Sequence, residues 1–253
     1  MKNQMNGMKL RRSIRRYSAR EVEPSVLSSL LQRAERTQTM GNLQLYSVVV
    51  VRSAEMKQKL SPAHFNQPMV TEAPVVLTFC ADYRRTTLWC EQRKASPGYG
   101  NFLSFINATT DALLYCQRFC DLAEEAGLGL CFLGTTVYQP QTVIDVLKLP
   151  KLVMPVATVT LGYPAEDGVV SERLPLEAVV HEEVYEDYSP ERIDRFYAEK
   201  ESLEVNRRFV EINHKETLAQ VFTDLRYTRK DCEQLSAALL DVLHRQGFLP
   251  DGV

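Results

Sequence analysis

The chain has 253 residues, a formal net charge of −2, 45% hydrophobic residues and 25% charged ones. That length can bury a sizeable core as one large domain or two small ones, and the composition is globular rather than disordered. The charge argues against a general polyanion binder, no apolar run approaches the roughly 18 residues of a membrane span, and the start lacks the apolar stretch of a secretory signal. A cytoplasmic protein without nucleic-acid or membrane partners is expected.

In chain order, the first feature is LRRSIRRYSAR at Leu10–Arg20, five arginines in eleven residues. An extended backbone alternates side chains between faces, so Arg11, Ser13 and Arg15 share one side and Arg12, Arg16 and Arg20 the other. Two forked guanidiniums flanking a hydroxyl suit a phosphate monoester, at roughly 1.5–3 kcal/mol per charge-assisted bond. A solvated basic terminus is the plain alternative, and the second set reads as merely solvated.

Val26, Leu27, Leu30, Leu31 and Ala34 recur at helical spacing behind Pro24, which suits a first turn. A small, polar loop over Thr37–Gln44 runs into a β-branched strand over Leu45–Arg52, and Val75–Cys80 reads as a second strand. Arg93–Asn101, with Pro97, Gly98 and Gly100, reads as a mobile loop. A long helix over Ala108–Ala126 ends at Gly127 and carries Ala108, Ala112, Cys116, Cys120 and Ala123 mostly four apart, a small-residue face for close packing within the fold or across a dimer. Leu130–Leu133 is a short strand, Gln141–Leu147 a short helix, and Pro155–Leu161 a further strand turned by Gly162-Tyr-Pro164. From about Pro190 to Leu249 the chain is mainly helical and more charged, with too little apolar periodicity for its own core. One sheet of four or five strands with helices places the chain in the α+β or α/β class.

Several kinds of site are missing. There is no GxGxxG after a first strand, no GxxxxGK[ST] and no GxSxG elbow, and the four histidines lie far apart in sequence. The six cysteines are scattered, with no CxxC, so no metal is expected and they read as reduced core residues.

Taken together, the pieces form an ordered pattern. Arg11-Arg-Ser-Ile-Arg-Arg-Tyr17 precedes an apolar helix, and Gly41-Asn-Leu-Gln44 enters a strand. Asn66-Gln67-Pro68 precedes Ala73-Pro74 and the second strand. Ala126-Gly-Leu-Gly-Leu-Cys-Phe-Leu-Gly134 follows, then Pro155–Pro164 and Arg173-Leu-Pro175. Over about residues 8–180 this resembles the nitroreductase family, which binds FMN. Asn206-Arg-Arg208 and His244-Arg-Gln-Gly247 are similar to its larger, NADPH-preferring branch.

The resemblance implies an α+β nitroreductase-like fold: a mostly antiparallel sheet flanked by helices, with an FMN-binding core over residues 1–180. A helical extension over 181–253 would wrap the core or a partner subunit. Arg11, Ser13 and Arg15 would hold the FMN phosphate and ribityl chain, joined by Arg173, and Gln67 would bond the flavin. Thr39, Met40, Gly41 and Leu43 would approach the isoalloxazine from the second subunit of a homodimer, and the backbone at Leu133, Gly134 and Thr135 would face flavin N5. Hydride would pass from NAD(P)H through flavin N5 to nitroaromatic, quinone or flavin acceptors in ping-pong turns, with the reactivity carried by the flavin and no catalytic side chain. A specialised flavoenzyme acting on one metabolite or on FMN itself, and a non-catalytic flavin-binding protein, are the alternatives. The family branch often has His where Arg11 stands and Lys where Ser171 stands, so one cation near the phosphate is missing here. Arg207, Arg208, Arg226 and Arg229 would meet the nicotinamide cofactor's phosphates or form a solvated helix face. Trp89, Tyr99 and Phe102 would line the substrate mouth or make plain apolar contacts.

Overall fold

A computed structural model describes residues 4–5 and 8–250. Its centre is a four-stranded sheet in the order β3-β4-β6-β5, all neighbours antiparallel: β3 is Tyr46–Val51, β4 Val75–Asp82, β5 Gly129–Leu133 and β6 Val153–Gly162. Two two-residue strands, β1 (Gln4–Met5) and β2 (Met8–Lys9), pair antiparallel apart from this sheet.

Every residue of β4 and β6 is buried. An antiparallel sheet usually wets one face and alternates; the two central strands of this one are covered on both, which is why they read as mostly apolar runs. On one face Leu77, Phe79, Ala81, Leu130, Val159 and Leu161 pack with α1 (Pro24–Ala34) and α5 (Phe102–Glu125). On the other, Val76, Cys131 and Leu133 pack with Leu60 of α2 (Ala54–Leu60), Val70 of α3 (Pro68–Glu72) and Val143 of α6 (Pro140–Leu147). Burying each large aliphatic or Phe side chain contributes about 1.5–3 kcal/mol, so the two slabs dominate the stability of the fold.

The helices start and stop where local chemistry dictates. α5 begins six residues before the expected Ala108, because the Asn101 side chain accepts from the Ser104 N–H at 2.9 Å and caps it. It ends where Gly127 takes φ +81°, a conformation that costs glycine little. α2 is capped by Ser53, which accepts from Met56 N–H at 3.2 Å. That helix, α3 and α4 (Arg84–Gln92) are short and were not apparent in the sequence pattern.

Contacts divide the chain into two compact units: residues up to Val169 together with those from Leu235 on, and Val170–Gln234. In the first, the end of α10 (Arg229–Arg245) and the turn after it deliver Val242, Leu243 and Phe248 into the α1/α5 slab. The second contains α7 (Pro190–Ser202), α8 (Glu204–Ile212), α9 (Leu218–Val221) and a π-turn over Phe222–Arg226. There the buried Phe196 ring is flanked by Tyr188, Arg192 and Arg195. The sequence placed the boundary at 180/181; the units divide at 169/170 and 234/235.

Candidate functional site

The arginine stretch is extended, as alternation requires, and laced into the end of the sheet. Ile14 N–H donates to Leu130 O at 2.9 Å, Ser18 N–H to Tyr163 O at 2.8 Å, and Ser13 and Tyr17 form isolated bridges with Val169 and Pro164. Ile14 is the anchor. A Cβ at Gly129 would sit 2.8 Å from Ile14 Cβ, and one at Gly168 would sit 2.8 Å from Ile14 Cδ1, so two glycines let the chain close on it from both sides. The Glu166 carboxylate accepts from Arg15 N–H at 2.7 Å and Arg16 N–H at 3.1 Å, and the Arg15 bond above all holds its pKa below the usual carboxylate range.

With the backbone fixed, Arg11 and Arg15 both act on the thiol of Cys131 in β5. Burial pushes that thiol's pKa up, while both guanidiniums, Arg15 also through a side-chain hydrogen bond, pull it down. Arg11 likewise lowers Glu124, near the end of α5, against a larger upward push from burial. Among the described residues neither Arg11 nor Arg15 makes an ion pair, and the Ser13 hydroxyl makes no hydrogen bond. The opposite face is not merely solvated. Arg12 Nη1 donates to Asp167 O at 2.9 Å, and the Arg20 guanidinium stacks 3.8 Å from the Tyr163 ring centroid.

β5 leads from this cradle into a 3-10 turn over Gly134–Val137, closed by Thr136 Oγ1 donating to Leu133 O at 2.8 Å. Leu133 is buried, Gly134 exposed and Thr135 half-buried, and a Cβ on Gly134 would meet nothing within 4 Å. Beside the turn lies the segment that ends in Gln67, half-buried ahead of α3, after two consecutive left-handed residues, Phe65 at φ 54° and Asn66 at φ 53°. His64 joins the two: its Nδ1 lies 2.9 Å from Thr135 Oγ1, and its carbonyl accepts from Gln67 N–H at 3.2 Å. The ring is wholly buried, Nε2 has no partner among the described residues, and burial brings its pKa down to about 4.

The loop at Thr39–Leu43 folds as a 3-10 turn over Met40–Asn42, with Gly41 at φ 55°. Asp111 of α5, buried, holds both ends of the loop: Oδ1 accepts from Met40 N–H at 2.9 Å and Oδ2 from Leu45 N–H at 3.1 Å. Arg85 adds donors to the Leu43 and Gln44 carbonyls. His64 and Asp111 were the residues that sequence reasoning missed; a lone Asp on an apolar helix was the available signal for the second.

Arg173 belongs to the second unit, where Nη1 donates to Glu172 O at 2.8 Å and Ser171 O at 3.3 Å. Of the tail arginines, Arg207 pairs with Glu204 at 3.1 Å, Arg229 faces Glu233 at 3.9 Å, and Arg226 lies over the Phe209 and Phe222 rings. Trp89, Tyr99 and Phe102 point to different neighbours. Trp89 lines a surface concavity with Ser47, Leu88 and Lys148, Tyr99 packs against Tyr83, and Phe102 packs against Phe105.

An anionic phosphate fits this donor set: two guanidiniums that make no ion pair and a hydroxyl that makes no hydrogen bond among the described residues, with an open backbone turn at the end of β5.

Residues 8–163 match the model of the nitroreductase family. An FMN reductase [NAD(P)H] of Bacillus subtilis (strain 168) is 31% identical over 247 residues, covering 94% of each chain. An oxygen-insensitive NADPH nitroreductase of Salmonella typhimurium is 28% identical over 73% of this chain and 75% of that one. Among solved structures, one from Bacteroides fragilis NCTC 9343, whose function is named only at the level of oxidoreductase, superposes with a TM-score of 0.94 at 60% identity, covering 95% of this chain and 98% of that one. The NfrA1 nitroreductase of B. subtilis superposes with a TM-score of 0.81 at 26% identity, covering 94% and 95%.

Proposed function

The chain belongs to the nitroreductase family and is an FMN-dependent NAD(P)H oxidoreductase, and from that premise we propose that it works as a cytoplasmic homodimer reducing nitroaromatic, quinone or free-flavin acceptors in ping-pong turns. The observation that carries the reading is the pair Arg11 and Arg15, which make no ion pair among the described residues and both act on Cys131 of the strand whose end opens into the Gly134 turn.

FMN, when bound, supplies the two-electron chemistry. The chain's own residues bind and orient. Arg11, Ser13 and Arg15 would hold the phosphate, with the Arg15 backbone kept in place by Glu166 and Ile14. Gln67 and the peptide groups of Leu133, Gly134 and Thr135 would meet the ring system. Thr39, Met40, Gly41 and Leu43 would close the site from a second subunit, on a loop whose ends Asp111 fixes.

Two features support the dimer. Leu103, Ile106, Leu113 and Leu114 project from α5 at helical spacing, and Leu103 is 69% exposed. In the second unit, Leu176, Val179, Val184 and Tyr185 are exposed as well. Large apolar side chains left exposed together on one helix face are a mark of association.

The reading is tested with purified protein. A yellow preparation, bleached anaerobically by NADPH and restored by a nitroarene, with parallel double-reciprocal plots, supports it. Colourless protein that does not quench added FMN fluorescence overturns it. Arg15→Ala should weaken FMN binding by about ten- to a hundredfold, the worth of a charge-assisted contact.

A further inference from the structure

His64 is an unexplained histidine in this site. It is wholly buried at the end of the 3-10 turn Ser61–His64, and its ring makes a single hydrogen bond, Nδ1 to Thr135 Oγ1 at 2.9 Å. Nε2 is buried without a partner.

Burial keeps the ring neutral at physiological pH, so it carries one N–H. Placed on Nε2, that proton would be an orphaned buried donor, which folded proteins avoid more strictly than a bare acceptor. Placed on Nδ1, it donates to Thr135 Oγ1 and leaves only a lone pair unsatisfied. The second arrangement is the cheaper one. It has a consequence for Thr135, whose oxygen is then occupied as an acceptor from the protein side. Its own hydroxyl proton must point elsewhere. Among the described residues the Thr135 hydroxyl has no hydrogen bond besides the one to His64, so its proton has no protein acceptor. Thr135 is half-buried, between buried His64 and exposed Gly134.

We propose that His64 is a positioning residue that, by donating to Thr135 Oγ1, sets the Thr135 hydroxyl as a hydrogen-bond donor directed at the bound flavin. The same residue fixes Gln67 through its carbonyl, so both flavin-facing segments are held by one buried side chain and its backbone. The proposal rests on the reading of this site as the FMN site.

The test compares wild type with Thr135→Val, His64→Phe, the double variant and His64→Asn. FMN affinity is read by fluorescence quenching, the bound flavin by its long-wavelength absorption band and midpoint potential, and folding by thermal melting of the FMN-free protein. Valine keeps the shape of threonine without the hydroxyl, and asparagine can present an amide N–H to Thr135. Thr135→Val and His64→Phe should each weaken FMN binding roughly five- to tenfold and shift the absorption band and the potential. The double variant should be no worse than either single one, and His64→Asn should stay close to wild type. If His64→Phe does not fold, Thr135→Val and His64→Asn decide the matter. An unchanged affinity and spectrum in Thr135→Val, or a lowered melting temperature alone in the His64 variants, overturns the proposal while leaving the FMN site intact. A wild-type protein that binds no FMN overturns the site reading itself, and the proposal with it.

Discussion

Asp111 Oδ1 accepts a hydrogen bond from the Met40 backbone N–H at 2.9 Å, joining the middle of the longest helix to the start of a surface loop 71 residues away in sequence. The other carboxylate oxygen takes the Leu45 N–H, so the loop between them is bracketed by one side chain. Gly41, Asn42 and Gln44 all have positive φ within that bracket. Such a run does not hold itself; it persists because its ends are fixed.

Asp111→Asn leaves one acceptor for two N–H donors and turns an amide NH2 towards the other. A loss of about 2 kcal/mol follows from stranding a buried donor, and Asp111→Ala should cost more. Urea denaturation measures the loss, and limited proteolysis should find new cleavage near Gly41. An unchanged midpoint with an uncleaved loop would show that the bracket does not hold it.

Gly129 controls how closely the arginine strand approaches the sheet. A Cβ there would lie 2.8–2.9 Å from three Ile14 atoms, all on or next to its rigid branch point. Gly129→Ala should therefore push residues 11–17 outward, costing about 1–3 kcal/mol as overpacking, and should weaken FMN binding through displaced Arg11 and Arg15. Pairing it with Ile14→Gly, which removes all three of the contacted atoms, should recover part of the affinity. If Gly129→Ala alone retains full stability and affinity, the close approach is not what positions the guanidiniums.

These relationships show where the sequence is legible. The strands were readable because both faces of the sheet are buried, so no polar residue interrupts Val75–Leu77 or Val153–Ala157, and the threonines that follow, Thr78, Thr158 and Thr160, are buried too. The alternation of residues 11–17 was readable because extended backbone has a fixed period, and Arg11 and Arg15, two such periods apart, both act on the Cys131 thiol. The first six residues of α5 were lost in the loop that precedes them, although Asn101 is a good N-cap. The opposite arginine face was misjudged because the partners of Arg12 and Arg20, the Asp167 carbonyl and the Tyr163 ring, lie some 140 to 155 residues downstream. Asp111 and His64 failed for the same reason. Each acts through a partner far away in sequence, and no local spacing encodes that contact.

His64 also predicts a pH dependence. Its folded pKa of about 4 lies below the ordinary value of 6.5, so between these values the unfolded chain binds a proton that the folded one refuses. Stability is therefore full above about pH 6.5 and falls as pH drops towards 4, by up to about 3 kcal/mol at 1.36 kcal/mol per pH unit. Below pH 4 this contribution no longer changes. Replacing the ring by the non-titrating amide of His64→Asn should flatten the stability profile between pH 6.5 and 4. Urea melts across that window, wild type against variant, measure it. Parallel profiles would mean that the His64 ring is not excluded from protonation in the fold.

The apolar stripe on α5 gives the dimer a direct test. Leu103, Ile106, Leu113 and Leu114 are exposed on a helix whose opposite face carries buried Ala108, Ala112, Tyr115 and Phe119. Changing the exposed side leaves the sheet packing untouched. Leu103→Glu with Leu114→Glu places like charges on a surface that a two-fold axis would bring against itself, so the variant should sediment as a monomer where the wild type sediments as a dimer. Circular dichroism and the urea midpoint of the monomer unit should stay near wild type, because neither side chain belongs to the core. FMN affinity should fall together with dimerisation, since the Thr39–Leu43 loop would then reach no neighbouring flavin. A dimer that survives both charges places the interface elsewhere, and a monomer with undiminished FMN affinity removes the loop from the shared site.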